Sequence, residues 1–296
     1  MPAAGGHRPA DDVDPRRLRR GRRHVAAPRR RGGRRAERAH RRPPRRGTGG
    51  ARRLTAVASA DHVLFHHVVD RPDDELPLDV AALLIGEWEY DGLDVSHYLG
   101  VLDRFAAQVA RAIDNREKSR HVEVRALNEV LFDQLGFRGD DSGDDPKHLF
   151  LNEVLDRWVG APIALAVVYI EVGRRIGVPL WGVSFPGSYL VRRDDVDECL
   201  LIDPHARGMT LDEDDLRARL ADAAGPEEPL TADLLAPSSK RDILSEMLAD
   251  LGAIYARDGD VRRQIEVLER LRILHPDDDA IDAEIERLRR HRPGRN

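Results

Sequence analysis

Apolar and polar positions along this chain follow a helical period, then a strand-like one, then a helical one again. In PLDVAALLIGEWEYDGLDVSHYLGVLDRFAAQVARAI, Val80, Leu83 and Leu84, then Tyr98, Leu99, Leu102, Phe105 and Val109, recur at helical spacing. This predicts two helices separated by DGLD. Asp94 is the expected N-cap of the second, because its carboxylate can accept an N–H that the first turn leaves unpaired. HVEVRALNEVLFDQLG predicts another helix, stopped by Gly136. FRGDDSGDDPKH reads as a solvated acidic loop. LFLNEVLDRWVG predicts a short helix and APIALAVVYIEVGRRIGV a long apolar one. Pro162 falls in the first turn of the latter, where a missing N–H costs nothing. LWGVSFPGSYLVRR and ECLLIDPHARG change to strand-like composition, with turns at Pro186-Gly187 and Asp203-Pro204. From Lys240 onward the pattern is helical again, with two helices joined at DGD and then a third.

Residues 1–53 are a different material. They hold 19 Arg and four acidic residues and almost no large apolar side chains, whereas the remainder holds 29 basic and 49 acidic residues. RRPPRRGTGG cannot bury enough surface to offset its ordering entropy, so residues 1–55 are expected to be a disordered arm. Such an arm can hold nucleic acid by its phosphates. No aromatic residues interleave with the arginines to stack on bases, which favours a solvated tail or upstream sequence translated from a misplaced start.

The remaining composition narrows the classes. The chain has 296 residues and is 41% hydrophobic, enough for one medium domain or two small ones. No apolar run approaches the roughly 18 residues of a membrane span, and no apolar segment of a signal peptide follows the basic N-terminus, so a cytoplasmic protein is expected. The single cysteine, Cys199, excludes an internal disulfide framework and a multi-Cys zinc site, and is expected to be an inert thiol on a buried strand. Asp140, Asp141, Asp144 and Asp145 do not alternate as a calcium loop requires. His62, His66, His67, His121, His148 and His275 are scattered, with surface or capping roles expected, and no metal or cofactor is implied.

The stretch LNEVLDRWVGAPIALAVVYIEVGRRIGVPLWGVSFPGSYLVR, followed by LIDPHARG, resembles a bacterial branch of the transglutaminase-like superfamily, the SirB-type proteins. That branch reads Leu-Asn-x-Val-Leu at the end of a helix, then Gly-Ile-Pro-Ile-Ser-Leu-Ala, a Phe-Pro-Gly-His-Phe-Leu-Val-Arg turn and strand, and Ile-Asp-Pro-Phe. Asn152, Gly160, Pro162, Ile163, Leu165, Ala166, Tyr169, Phe185, Pro186, Gly187, Asp203 and Pro204 are among the matching positions. LLIGEWEYDGLDVSHYL resembles the family's N-terminal helices. Leu251, Gly252, Tyr255, Gly259, Leu268, Leu271 and Pro276 follow a tetratricopeptide-like spacing, with Gln264 where that repeat prefers Ala. One such hairpin falls short of the roughly three repeats a free solenoid needs, so it has to pack on the rest of the chain.

The resemblance implies an α+β fold: a transglutaminase-like, papain-like core with a small antiparallel sheet packed on a central helix that starts near Pro162. N-terminal helices (56–138) flank the core (139–232), and the tetratricopeptide-like hairpin (233–296) closes it. Enzymes of the superfamily place a Cys nucleophile at a helix start, a His base on a following strand and an Asp that orients it on the next. A helix N-terminus and a neighbouring imidazole both lower a thiol pKa, which suits that arrangement. Here the Cys position is Pro162, the nearby Ser position is Ala164, and the His position is Ser188, a hydroxyl that cannot hold a proton near neutral pH. Asp203 alone is kept, and without its His it is expected to cap the Asp203-Pro204 turn.

The resemblance thus implies a pseudoenzyme that binds a protein or peptide partner. The alternatives are a hydrolase or acyltransferase using the remnant groove, and nucleic-acid association through residues 1–53. Groove candidates are Asn152, Tyr169, Phe185, Ser188, Asp203 and His205. Ser188 is expected to face the start of the Pro162 helix, Ala164 to face the groove, and Arg192 to be placed for an ion pair with Asp203.

Overall fold

The computed structural model describes residues 62–114, 119–140, 142–194 and 199–290. The Arg-rich arm, with the readings attached to it, lies outside them. Helices α1 (Val63–Val69), α2 (Leu78–Leu84), α3 (Val95–Ile113) and α4 (Arg120–Asn128) come first. A π-helix, Glu129–Gln134, continues α4 and leads to β1 (Arg138–Gly139). A 3-10 turn (Pro146–His148), α5 (Leu151–Arg157), β2 (Val159–Gly160) and α6 (Pro162–Arg175) follow. Strands β3 (Trp181–Phe185), β4 (Ser188–Asp194), β5 (Cys199–Asp203) and β6 (Met209–Leu211) form an antiparallel sheet in sequence order. Helices α7 (Glu213–Ala224), α8 (Lys240–Asp258), α9 (Val261–Leu274) and α10 (Asp279–Arg290) complete the chain. No helix among the described residues is long and apolar enough to cross a membrane.

Most predicted elements form for the expected local reasons. Asp94 caps α3, its carboxylate accepting the His97 N–H at 3.0 Å. Gly136 ends the α4 segment at φ 82°, a conformation open to glycine. Gly259 takes the same role between α8 and α9, where Asp260 then caps α9.

Three segments differ from the periodicity. GEWEY is not helical. α2 stops at Leu84, and the chain turns so that Trp88 and Tyr90 meet Phe150 edge-on, with ring centroids 6.1 and 5.3 Å apart. The π-helix widens the turn after α4, burying the consecutive Val130, Leu131 and Phe132, and Phe132 stacks on Tyr169. The third is α7, in a stretch to which the periodicity assigns no element. Its signals were present: Asp212 and Asp215 form a capping box, and Leu216 and Leu220 are one turn apart.

Helix α6 is the centre. Every residue from Ile163 to Gly173 is buried, and α6 packs against α2, α3, α4, α5, α8 and the sheet. One continuous core runs from Phe65 on α1 to Leu274 on α9. The sheet has two apolar faces. Tyr189, Val191 and Ile202 join the core around α6, whereas Val183, Phe185, Leu190, Leu201 and Leu211 pack under Leu216 and Leu220 of α7.

A carboxylate sits inside this apolar helix. Glu171 is 1% exposed and Asp79 of α2 is 3% exposed. Arg175 answers both: its guanidinium donates to Glu171 Oε2 at 2.9 Å, to Asp79 Oδ2 at 2.6 Å and to Asp103 Oδ1 on α3 at 2.7 Å. Arg174 adds bonds to Glu171 at 2.8 Å and Asp79 at 3.2 Å. Burial still pushes Glu171 above the ordinary glutamate range. Removing one partner of a buried pair leaves an uncompensated charge, so Arg175→Ala is expected to lower stability by about 3 kcal/mol or more in denaturant titration. Arg287→Ala, which breaks an exposed pair with Glu284, is expected to leave the denaturation midpoint close to that of the unmodified protein.

Candidate functional site

Pro162 is the first residue of α6, as expected, with Ala161 as an extended N-cap. Ile163, Leu165, Val168 and Ile170 are buried. Ala164 does not face a groove: it is fully enclosed in the core. The segment ahead of α6 is held from both sides. β2 pairs in parallel with β1, Gly139 opposite Gly160, and the Ala161 N–H donates to the His148 carbonyl at 2.8 Å.

Ser188 and Asp203 lie on neighbouring strands, but neither faces α6. Cross-strand partners share a face. Ser188 pairs with Phe185, and Asp203 pairs with Met209 one step beyond the Leu201–Leu211 pair. Phe185, Leu201 and Leu211 belong to the face under α7. The expected placement of Ser188 against the start of α6 is therefore not what forms, because strand alternation turns it to the other side of the sheet.

Asp203 is 2% exposed, and both of its oxygens are engaged. Oδ1 accepts the N–H groups of His205 (2.9 Å) and Ala206 (3.1 Å), the turn-capping role expected of it. Oδ2 accepts from Arg219 of α7 at 2.5 Å. Arg192, expected as its ion partner, instead pairs with Asp194 and donates to the Leu235 carbonyl. In β4 it faces the α7 side beside Leu201, and Arg219 already occupies the carboxylate. Sequence reading missed Arg219 because it missed α7.

The turn after Asp203 is anchored at three further points. His205 packs on β1 so closely that a Cβ on Gly139 would collide with the imidazole, and its Nε2 donates to the Asp140 carbonyl at 3.2 Å. Gly208, at φ 75°, leaves no room for a Cβ beside Asn128, whose Nδ2 donates to the Gly208 carbonyl at 2.7 Å. Asn128 Oδ1 in turn accepts from the Tyr169 hydroxyl at 2.9 Å. Tyr169 is thus a core residue, fully buried, linking α6 through α4 to the β5–β6 turn, and not a groove-lining side chain. Asn152 and Phe185 are likewise buried. Cys199 is the reverse case: it is exposed at the start of β5 and not in the core, while partial desolvation pushes its thiol up to about 11.

The acidic loop is more ordered than a solvated run. His148, read as a surface or capping residue, is 8% exposed, and its Nδ1 lies 2.9 Å from Asp140 Oδ2. Asp140 also accepts from the Ser142 hydroxyl, and Asp145 caps the 3-10 turn and pairs with Arg157 at 3.2 Å. The hydrogen bond from Ser142, then the charge and hydrogen bond of His148, hold Asp140 below the usual aspartate range. Burial works against the same shift at Asp145, but the Lys147 amide and Arg157 outweigh it. A Ser–His contact lies elsewhere: Ser245 Oγ is 2.7 Å from His275 Nε2. The Ser245 hydroxyl already donates to the Arg241 carbonyl at 2.8 Å, so the imidazole is its donor and not its base.

With this geometry in place, comparison with known proteins defines the class. Residues 96–249, more than half of the chain, match the transglutaminase-like superfamily. A UPF0162 protein of Xylella fastidiosa is 36% identical over 217 residues, covering 72% of this chain and 77% of the relative. A UPF0162 protein of Pseudomonas aeruginosa is 31% identical over 196 residues, covering 66% and 71%. A shorter stretch of 143 residues is 29% identical to F-box only protein 21 of Mus musculus, 45% of this chain and 22% of that one. The chain belongs to the transglutaminase-like superfamily.

Lowered carboxylate pKa values fix a sign for acid stability. The contribution of Asp140 and Asp145 is complete above the ordinary aspartate value of about 3.9 and is lost as pH falls through their lowered values. Asp140→Asn is therefore expected to flatten the acid limb of a stability–pH curve below about pH 4, and to leave its slope between about pH 7 and 9 unchanged. An acid limb as steep as that of the unmodified protein would remove the loop from this account.

Proposed function

We propose that this protein is a non-catalytic transglutaminase-like module that binds a protein or peptide partner. The observation that carries the reading is Asp203, whose Oδ1 caps a turn and whose Oδ2 holds Arg219. An acid engaged in this way is not free to orient a base, and Ser188 at the base position is a hydroxyl turned to the same face. Pro162 cannot ionise and Ala164 has no functional group, so the nucleophile positions carry no proton-transfer chemistry. The motif around Asn152, Pro162, Phe185 and Asp203 supports the SirB-type branch within the superfamily. The spacing from Leu251 to Pro276 supports a tetratricopeptide-like reading of α8 and α9.

Transamidation and amide hydrolysis on generic glutamine- and amide-containing peptides are the direct test. Losing both the nucleophile and the base removes orders of magnitude in rate, so turnover at buffer background is expected, unaltered by alkylation of Cys199. An acylation signal from an electrophilic probe that disappears in Ser188→Ala or Cys199→Ala would establish an enzyme instead.

A further inference from the structure

A cleft of about 710 Å³ opens beside the charge cluster at the C-terminal end of α6. Its floor is apolar: Ala106, Ala110 and Ile113 of α3, with Ile176 and Val178 just beyond α6. Its rim is acidic, formed by Asp103, Asp114 and Glu123. The volume falls within the range of sites that take a small ligand or a few side chains, roughly 300–1,000 Å³.

The charge balance states what it would accept. Arg175 is the cation in the lining, and its guanidinium is saturated by Asp79, Asp103 and Glu171. Glu123 is paired with Arg193 at 3.0 Å, while Asp114 has no hydrogen bond or ion pair from its side chain among the described residues. Behind the rim lie Asp79 and Glu171, so Asp79, Asp103, Asp114, Glu123 and Glu171 face Arg174, Arg175 and Arg193. Among the described residues the excess is negative, and low-dielectric walls concentrate its field in the cleft. Ala107 and Ala110 are exposed on α3, and side chains this small let another chain approach the helix closely.

We propose that this cleft docks a basic, apolar segment of a partner protein: a short stretch in which Lys or Arg alternates with large aliphatic side chains. The aliphatic groups cover the alanine and isoleucine floor, and the cations meet the rim, Asp114 first. The inference rests on the binding-module reading and names the chemistry of the partner and the place it docks.

The test uses the full-length protein and a fluorescein-labelled octapeptide of alternating Lys and Leu, followed by fluorescence anisotropy. Two further octapeptides, Glu alternating with Leu and Lys alternating with Ser, remove the charge match and the apolar match in turn. Saturable binding of the Lys-Leu peptide is expected, with both controls weaker by about tenfold or more. Ala110→Trp fills the floor, and Asp114→Lys reverses the free rim charge at a helix C-terminus, where a cation is tolerated. Each is expected to weaken binding by about tenfold with an unchanged thermal midpoint, while Asp277→Lys, on the exposed turn before α10, leaves it unaltered. Equal binding by all variants would show general adhesion to an acidic protein and overturn the proposal, as would no saturable binding by the unmodified protein. Either failure removes this docking site while the transamidation assay continues to decide the non-catalytic reading.

Discussion

A helix buried along its whole length from Ile163 to Gly173 has to satisfy inside the protein every polar side chain it buries, and α6 buries two. Tyr169 reaches Asn128 and, through it, the Gly208 carbonyl. Glu171 reaches Arg174 and Arg175, which also hold Asp79 and Asp103. These two networks run in different directions and pin different partners: α4 and the β5–β6 turn in one case, α2 and α3 in the other. A shift of α6 along its axis would break both at once. The arrangement of the helices around it therefore follows from a phenol and a carboxylate, in addition to the apolar contacts.

The same logic accounts for the state of the site. The turn that follows Asp203 is fixed by its own carboxylate, by Asn128 from α4 and by the contact of His205 with Gly139 on β1. β1 in turn pairs with β2, the two residues that lead into α6. The strand end, the acidic loop and the start of the central helix form one braced unit. Asp203 serves in it as a tie, capping its own turn and holding Arg219 of α7.

Much of this was legible in the sequence. The helices around Pro162 and Asp94, the turns at Gly136 and Gly259 and the strand pair at Pro186-Gly187 follow from local rules, and so did the capping role of Asp203. The errors have tertiary causes. GEWEY has a helical period but is drawn into a turn by aromatic packing on Phe150. His148 stands in a polar loop, and nothing local says that the loop folds back to bury it. The side of the sheet that Ser188 faces depends on which face α6 covers and which α7 covers, so passing over α7 also misplaced Ser188 and hid Arg219. The capping box at Asp212 was the clue available.

The central claim is that Asp203 is retained as a tie and not as part of a catalytic group, and its stability effect measures this most directly. Replacing it with Ala removes two turn-capping bonds and the partner of Arg219 from a position 2% exposed. Equilibrium unfolding in denaturant is predicted to show a loss of about 3 kcal/mol for Asp203→Ala. A smaller loss is predicted for Arg219→Ala, which leaves the two capping bonds in place. An acid held for chemistry behaves in the opposite way, since catalytic groups are commonly kept at the expense of stability. Unchanged or increased stability in Asp203→Ala would contradict the account.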